Sequence, residues 1–220
     1  MSKVLIFGLR DIASLAHFYL THDSAHEVVA FCVDRAYMPG NPTFEGKPVI
    51  AMEDVAEHYP TDDFQFFAPM SEHGMNRQRE EVYLRIKALG YSMISYVSSK
   101  ATVFPQAEIG ENCFILEDNT IQPFTPIGNN VVLWSGNHIG HHGIIKDHVF
   151  FTSHVVLSGH CTVEPYCFFG VNATIRNALT IAEGSLIAMS ASVVKNTEPW
   201  GVYKGVPAKK ARVSSRDLKF

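Results

Sequence analysis

The sequence predicts a small parallel α/β domain followed by an all-β parallel β-helix and a short tail. Two observations carry that prediction. Up to Val97, apolar runs of strand length alternate with segments of helical periodicity. From Val103 to Glu198 the chain then holds a six-residue phase, in which all 16 first positions are Val, Ile, Leu or Phe without one insertion.

The α/β part, residues 1–97, opens on KVLIFG (3–8), which reads as a buried strand. In DIASLAHFYL, Ile12, Leu15, Ala16, Tyr19 and Leu20 recur at i, i+3, i+4, i+7 and i+8 and line one helical face. EVVAFCVD (27–34) reads as a second strand ending on an acid, and FQFFAP (64–69) as a third. NRQREEVYLRIKALGY reads as a helix starting at Asn76 and stopped by Gly90. SMISYV (92–97) leads into the repeat. The turn after the first strand, Gly8-Leu9-Arg10-Asp11, keeps one glycine where a phosphate-binding turn has several. Gly8, Arg10 and Asp11, with Asp34 at the end of the second strand, are the candidate substrate-binding residues. Asp34 reads equally as a solvated turn carboxylate. Asn76, Arg77 and Arg79 stand at a helix start, where backbone N–H groups favour anions, and surface capping accounts for them as well.

The repeat, residues 98–198, reads as stacked strands and corners. The large first residue of each hexapeptide fills a continuous core that no single repeat could bury alone. The fifth positions are mostly small and are expected inside, near a corner. Cys113, Cys161 and Cys167 take that position, where a thiol packs as a compact hydrophobe rather than a metal ligand. Asn119 and Asn137 share it.

Composition narrows the partners. A net charge of −4 argues against nucleic acid or an anionic membrane as the main partner. No apolar run approaches the roughly 20 residues of a bilayer span. The start, MSKVLIFG, shows no signal-peptide anatomy, and four cysteines without paired spacing suggest the cytoplasm.

The α/β domain, the uninterrupted hexapeptides and the tail Tyr203-Lys204-Gly205-Val206-Pro207-Ala208-Lys209 together resemble the hexapeptide-repeat nucleotide-sugar acyltransferases. Within them they resemble the sialic-acid O-acetyltransferase and bacillosamine N-acetyltransferase group. The resemblance implies a Rossmann-like domain holding the nucleotide, and a left-handed β-helix with three hexapeptides per coil. It also implies a homotrimer with acetyl-CoA lying along the helix between subunits. The tail, 199–220, would then lie near CoA, with Gly205, Pro207, Ala208 and Lys209 as cofactor-binding residues. At 18 residues per coil, His142 stacks under His160 and Asn119 under Asn137, where the two amides are placed to bond each other.

The resemblance also sorts the histidines. Six of the 11 fall between His138 and His160, three of them in "WSGNHIGHHG" (134–143). The family's catalytic histidine takes a third position in an Ile-Glu-His pattern, which selects Ile139-Gly140-His141 and makes His141 the candidate general base. The glutamate is Gly140 here, and the acid that often follows is His142, so Asn137 or His142 is left to orient the imidazole. His138 lies beside the base as a candidate substrate contact, and the Gly143 N–H is a candidate oxyanion donor. His148, His154 and His160 share the fourth position with His142. Successive hexapeptides lie on different sides of the prism, so this set is expected at solvated or interface corners and not at one point.

The implied reaction is transfer of acetyl from acetyl-CoA to a sugar amine, in a nucleotide-linked (UDP or dTDP) amino-deoxysugar for bacterial surface glycan. His141 takes the proton lost as the tetrahedral intermediate forms. O-acetylation of a sugar is the alternative. A zinc enzyme of the gamma carbonic anhydrase class pairs histidines five apart on one chain, a separation absent among these six, so no metal is expected. A nucleotide-sugar-binding trimer without catalysis is the remaining reading.

Overall fold

The computed structural model describes residues 2–104 and 106–218. The α/β domain is built on β1 (Lys3–Phe7), β2 (Glu27–Val33), β3 (Thr43–Phe44), β4 (Lys47–Ala51) and β5 (Phe64–Phe67), in the order β3-β4-β2-β1-β5. All pairings are parallel except that of β3 with β4. Its helices are α1 (Asp11–His22), α2 (Val55–His58) and α3 (Arg77–Ala88). Alternation along β1 sends Val4 and Ile6 to the α1 side, against Ala13, Ala16 and Leu20. Leu5 and Phe7 go to the other side, against Val55, Val82 and Ile86. The β3–β4 hairpin was not expected from the sequence. It turns on Glu45 and Gly46, both at positive φ (47° and 71°), the geometry of a tight two-residue hairpin loop.

The β-helix is a three-faced stack of two-residue strands. Its first face carries Tyr96–Val97, Phe114–Ile115, Val132–Leu133, Phe150–Phe151, Phe168–Phe169 and Leu186–Ile187. The second carries Thr102–Val103, Thr120–Ile121, His138–Ile139, Val156–Leu157, Thr174–Ile175 and Ser192–Val193. Ile144–Ile145, Thr162–Val163 and Thr180–Ile181 form the third, extended by bridges from Ile109 to Ile127 to Ile145. Strands 18 residues apart pair in parallel, as Ile139 with Leu157 and Phe151 with Phe169. First and fifth positions both fill the core, Leu133, Ile139 and Phe151 beside Cys113, Val149 and Cys161. All four cysteines are buried free thiols, and burial pushes the Cys113 thiol up to about 11.

The β-helix begins earlier than the expected boundary at residue 98, because Tyr96–Val97 already pairs with Phe114–Ile115 as its first rung. The tail is an integral part of the structure too. Gly201–Lys204 adds in parallel to Leu186–Ile187, and Lys209–Ser214 folds back antiparallel onto it, extending the first face. The interior amides also differ from expectation. Asn119 donates to the carbonyls of Leu116 and Trp134 at 2.9 Å, and Asn137 to the Trp134 carbonyl. Both side chains thus bond backbone and not each other.

Every fourth position from Asn112 to Ser190 has positive φ, between 54° and 79°. This left-handed corner admits Gly, Asn, Asp and His most readily among residue types. His142, His148, His154 and His160 all stand there, so the backbone demand of the corner accounts for most of the histidine cluster.

The two domains meet on the first face, whose outward Phe114, Val132 and Phe150 pack with Val4, Ile6 and Tyr96 in one core. Among the described residues, no helix is long and apolar enough to cross a membrane.

Candidate active site

The corner between His138–Ile139 on the second face and Ile144–Ile145 on the third holds Gly140, His141, His142 and Gly143. Ile139 and Ile145 point into the core, and between them His141 and His142 turn outward while Gly140 and Gly143 stay buried. Thr125, from the coil before, fixes the turn from inside: its hydroxyl donates to the Gly140 carbonyl at 2.7 Å and accepts from the Gly143 N–H at 3.0 Å. The His141 N–H donates to Oε1 of Gln122 at 3.0 Å. This frame leaves both imidazoles exposed.

Their ring nitrogens meet. Nδ1 of His141 lies 3.0 Å from Nδ1 of His142, a contact that requires one proton between two lone pairs. His142, at φ 54°, is stacked on His160 with centroids 5.3 Å apart and 18° between planes, and it packs against Phe124 at 4.7 Å. His160 also meets His141 edge-on at 5.1 Å. The stacking of His142 on His160 is as the 18-residue coil predicts, and for this one pair it overrides the expectation that the fourth-position histidines do not converge. His142 and His160 are 18 residues apart, so they occupy the same corner of successive coils and converge with His141. His148 and His154 lie at the other two corners, one buried against Tyr83 and Tyr166, the other over Gly136.

The structure separates the remaining candidates. Asn137 is interior, and its amide oxygen accepts from the Val155 N–H at 2.8 Å while its NH2 reaches the Trp134 carbonyl. Both ends are spent on backbone, so of Asn137 and His142 it is His142 that meets the His141 ring nitrogen. Gly143 is buried with its N–H held by Thr125, which removes it as an oxyanion donor. Gly159, not among the candidates from the sequence, lies one coil on beneath His141. A Cβ there would sit 3.0 Å from Cε1 and Nε2 of the His141 ring. Among the described residues no acceptor takes the Gly159 N–H. The 18-residue spacing from His141 is the signal that would have found it.

His138 projects from the second face on the strand leading to this corner, paired with Thr120 and Val156. Gly205 and Ala208 close the far end of that same face: the Ser192 N–H donates to the Gly205 carbonyl at 3.1 Å and the Ala208 N–H to the Ser192 carbonyl at 2.7 Å. Pro207 lies between them, and Lys209 starts the closing strand, opposite Lys204. Ile139 and Val193 are three coils apart, about 14 Å at the usual strand spacing.

Gly8, Arg10, Asp11 and Asp34 gather at the carboxyl ends of β1 and β2. Gly8 has φ 112° and donates to the Cys32 carbonyl at 2.8 Å. Arg10 is the N-cap residue of α1 and Asp11 its first residue. Asp34 is ion-paired with the Arg85 guanidinium, so it is neither a free nucleoside ligand nor a merely solvated carboxylate. Asn76 and Arg79 are buried against the β-helix and bond its carbonyls, which leaves only Arg77 of that trio at the surface.

The chain matches no family model. A probable macrolide acetyltransferase from Lysinibacillus sphaericus is 40% identical over 53 residues, which are 23% of this chain and 29% of that relative. Among solved structures, a mutant perosamine N-acetyltransferase from Caulobacter crescentus, in complex with CoA and GDP-perosamine, superposes with a TM-score of 0.83. The match covers 96% of this chain and 97% of that one at 20% identity. The acetyltransferase domain of PglB from Neisseria gonorrhoeae gives 0.84 over 96% and 100% at 20% identity. WeeI from Acinetobacter baumannii gives 0.80 over 96% and 100% at 19%. At such identities the likeness establishes a shared fold over nearly the whole chain.

Proposed function

We propose that this chain is an acetyl-CoA-dependent N-acetyltransferase acting on a nucleotide-linked amino-deoxysugar for bacterial surface glycan, with His141 as general base. The observation that carries the reading is the Nδ1-to-Nδ1 contact of His141 with His142. When His142 accepts that hydrogen bond, the proton of His141 is fixed on Nδ1 and its Nε2 lone pair is left to act as base. His142 so does what a carboxylate does beside many catalytic histidines. The sugar amine attacks the thioester carbonyl, Nε2 takes the amine proton, and the thiolate of CoA leaves. In this reading the Gly159 N–H, on the coil beneath His141, serves as the oxyanion donor.

The fold-mates bound to CoA and GDP-perosamine support the choice of substrates. In this reading the α/β sheet is a Rossmann-like nucleotide site, the β-helix winds left-handed, and three chains assemble with CoA between them. The pantetheine arm spans the second face from the Gly205–Lys209 closure to His141, and Lys209 meets a phosphate. The nucleotide is taken as UDP or dTDP, with GDP added by the perosamine complex.

Thiol release from acetyl-CoA, measured across a panel of amino-sugar nucleotides with the product identified by mass, tests the proposal. His141→Ala is expected to lower kcat by about 10²–10⁴-fold. An unchanged rate eliminates His141 as base, and no thiol release with any amino- or hydroxy-sugar nucleotide makes the chain a binding protein.

A further inference from the structure

Three imidazoles at one exposed corner form a constellation that base catalysis does not use in full. His141, His142 and His160 each offer a ring nitrogen, and these atoms all lie within 4.8 Å of one another. His142 and His160 come from successive coils, held in register by the His160 N–H donating to the His141 carbonyl at 2.9 Å. Among the described residues no carboxylate or thiol joins the cluster. Its other close neighbours are the Phe124 ring and the Gly159 backbone.

We propose that this trio is a binding site for one divalent transition-metal ion of the zinc class, and that occupancy shuts off acetyl transfer. Imidazole nitrogens suit zinc, copper and nickel, and a three-histidine set leaves an open position for water. Zinc–nitrogen bonds of about 2.0–2.1 Å bring tetrahedral ligand nitrogens to about 3.3 Å apart. The His141–His142 pair is already at 3.0 Å. His160 has only to turn its exposed ring inward, a side-chain rotation that leaves the coil in place. Each histidine coordinates through one neutral nitrogen and keeps its proton on the other, so the proton between His141 and His142 moves off whichever nitrogen the ion takes. An ion held by His141 disturbs the hydrogen bond that sets its tautomer and blocks approach of the amine. The binding half of this inference stands without the proposed activity, whereas the inhibition half rests on His141 being the base.

The test uses the full chain, stripped of metal by a chelator and titrated with zinc sulfate against a chromophoric zinc indicator. One ion per chain is expected. His160→Asn, which the left-handed corner tolerates, is expected to weaken zinc binding by at least about tenfold, and His160→Gln to do the same. His154→Asn, at a different corner, should leave it unaltered. Zinc binding that survives both His160 variants, or that His154→Asn abolishes, overturns the site. In the acetylation assay zinc should inhibit the wild type reversibly with chelator, and in His160→Asn the ratio of rates with and without zinc should approach one. If no sugar nucleotide is turned over, the proposed activity fails while the indicator titration still decides the metal site. If turnover is seen but a filled site does not inhibit, the switch is overturned.

Discussion

Gly140 shows how one backbone position decides which residue meets the His141 imidazole. A Cβ at Gly140 would lie 2.5 Å from the Gly159 nitrogen and 2.6 Å from the Ser158 carbonyl carbon, both main-chain atoms of the next coil. An acidic side chain just before His141 would force the coils apart, and overpacking of that kind costs about 1–3 kcal/mol. Gly140→Glu is therefore expected to lower the urea midpoint without raising acetyl transfer. A stable and faster variant would show that His142 is the poorer partner. The exposed corner position of His141 was legible from the hexapeptide phase. The choice between Asn137 and His142 was not, because it turns on which side of the chain each faces and on which backbone groups claim Asn137 first. His160 was half legible. The 18-residue repeat stacks it on His142, yet treating all fourth positions alike hid that two of them share a corner.

At the scale of elements, the junction between α1 and the first rung of the β-helix hangs on one carboxylate. Asp23, the C-cap of α1, accepts from the Ser99 N–H at 2.9 Å, the Tyr96 hydroxyl at 2.7 Å and the Ser98 hydroxyl at 3.2 Å. These donors, Ser99 first and then Tyr96, favour the charged form and hold the Asp23 carboxyl at about 2, below its usual 3.8. A lowered carboxyl stabilises the fold fully above the unfolded value, and that contribution fades as pH falls from about 3.8 toward 2. Asp23→Asn should flatten acid unfolding across that window while changing stability less steeply with pH. Matching acid transitions for the two proteins would remove Asp23 from the account. The strands and helices on either side were readable as apolar runs, whereas this clamp joins residues 73 to 76 positions apart and needed the docked domains to be seen. The missed β3–β4 hairpin was short-range and carried its own signal in Glu45-Gly46.

For the molecule as a whole, the question is what seats the α/β domain on one face of the prism. Outward residues of the first face are all apolar, Tyr96, Phe114, Val132, Phe150, Phe168 and Leu186, while the second mixes Val156 with Thr102, Thr120, His138, Thr174 and Ser192, and the third mixes Ile144 with Thr162 and Thr180. That contrast is written in the sixth positions of the hexapeptides, so the docking face was readable in principle once the faces were assigned. What pattern could not supply is the polar core of the seam. Arg79, 1% exposed, donates to the Asn130 carbonyl at 2.7 Å and lies over the Phe150 ring, and burial lowers its guanidinium to about 10. Beside it His148 is buried, its Nδ1 2.9 Å from the Asn130 amide nitrogen and its Nε2 3.7 Å from Glu80. The amide donates, so Nδ1 accepts and the ring is neutral. Burial lowers the His148 pKa below its ordinary 6.5, against the upward pull of Glu80 and Asp147 and with a further push down from Arg79. The unfolded chain thus takes up this proton before the folded one does. Stability is whole above about 6.5 and is lost as pH falls through 6.5 toward the folded value. His148→Asn keeps a residue suited to the left-handed corner, as Asn112 and Asn130 are in the same column, and removes the titration. Thermal melts from pH 8 to pH 5 should show the wild-type Tm falling more steeply below 6.5 than that of the variant. His17 and His26, also lowered by burial, contribute equally to both, so the difference between the two slopes reports the seam, and equal slopes would show that His148 is free to charge where it sits.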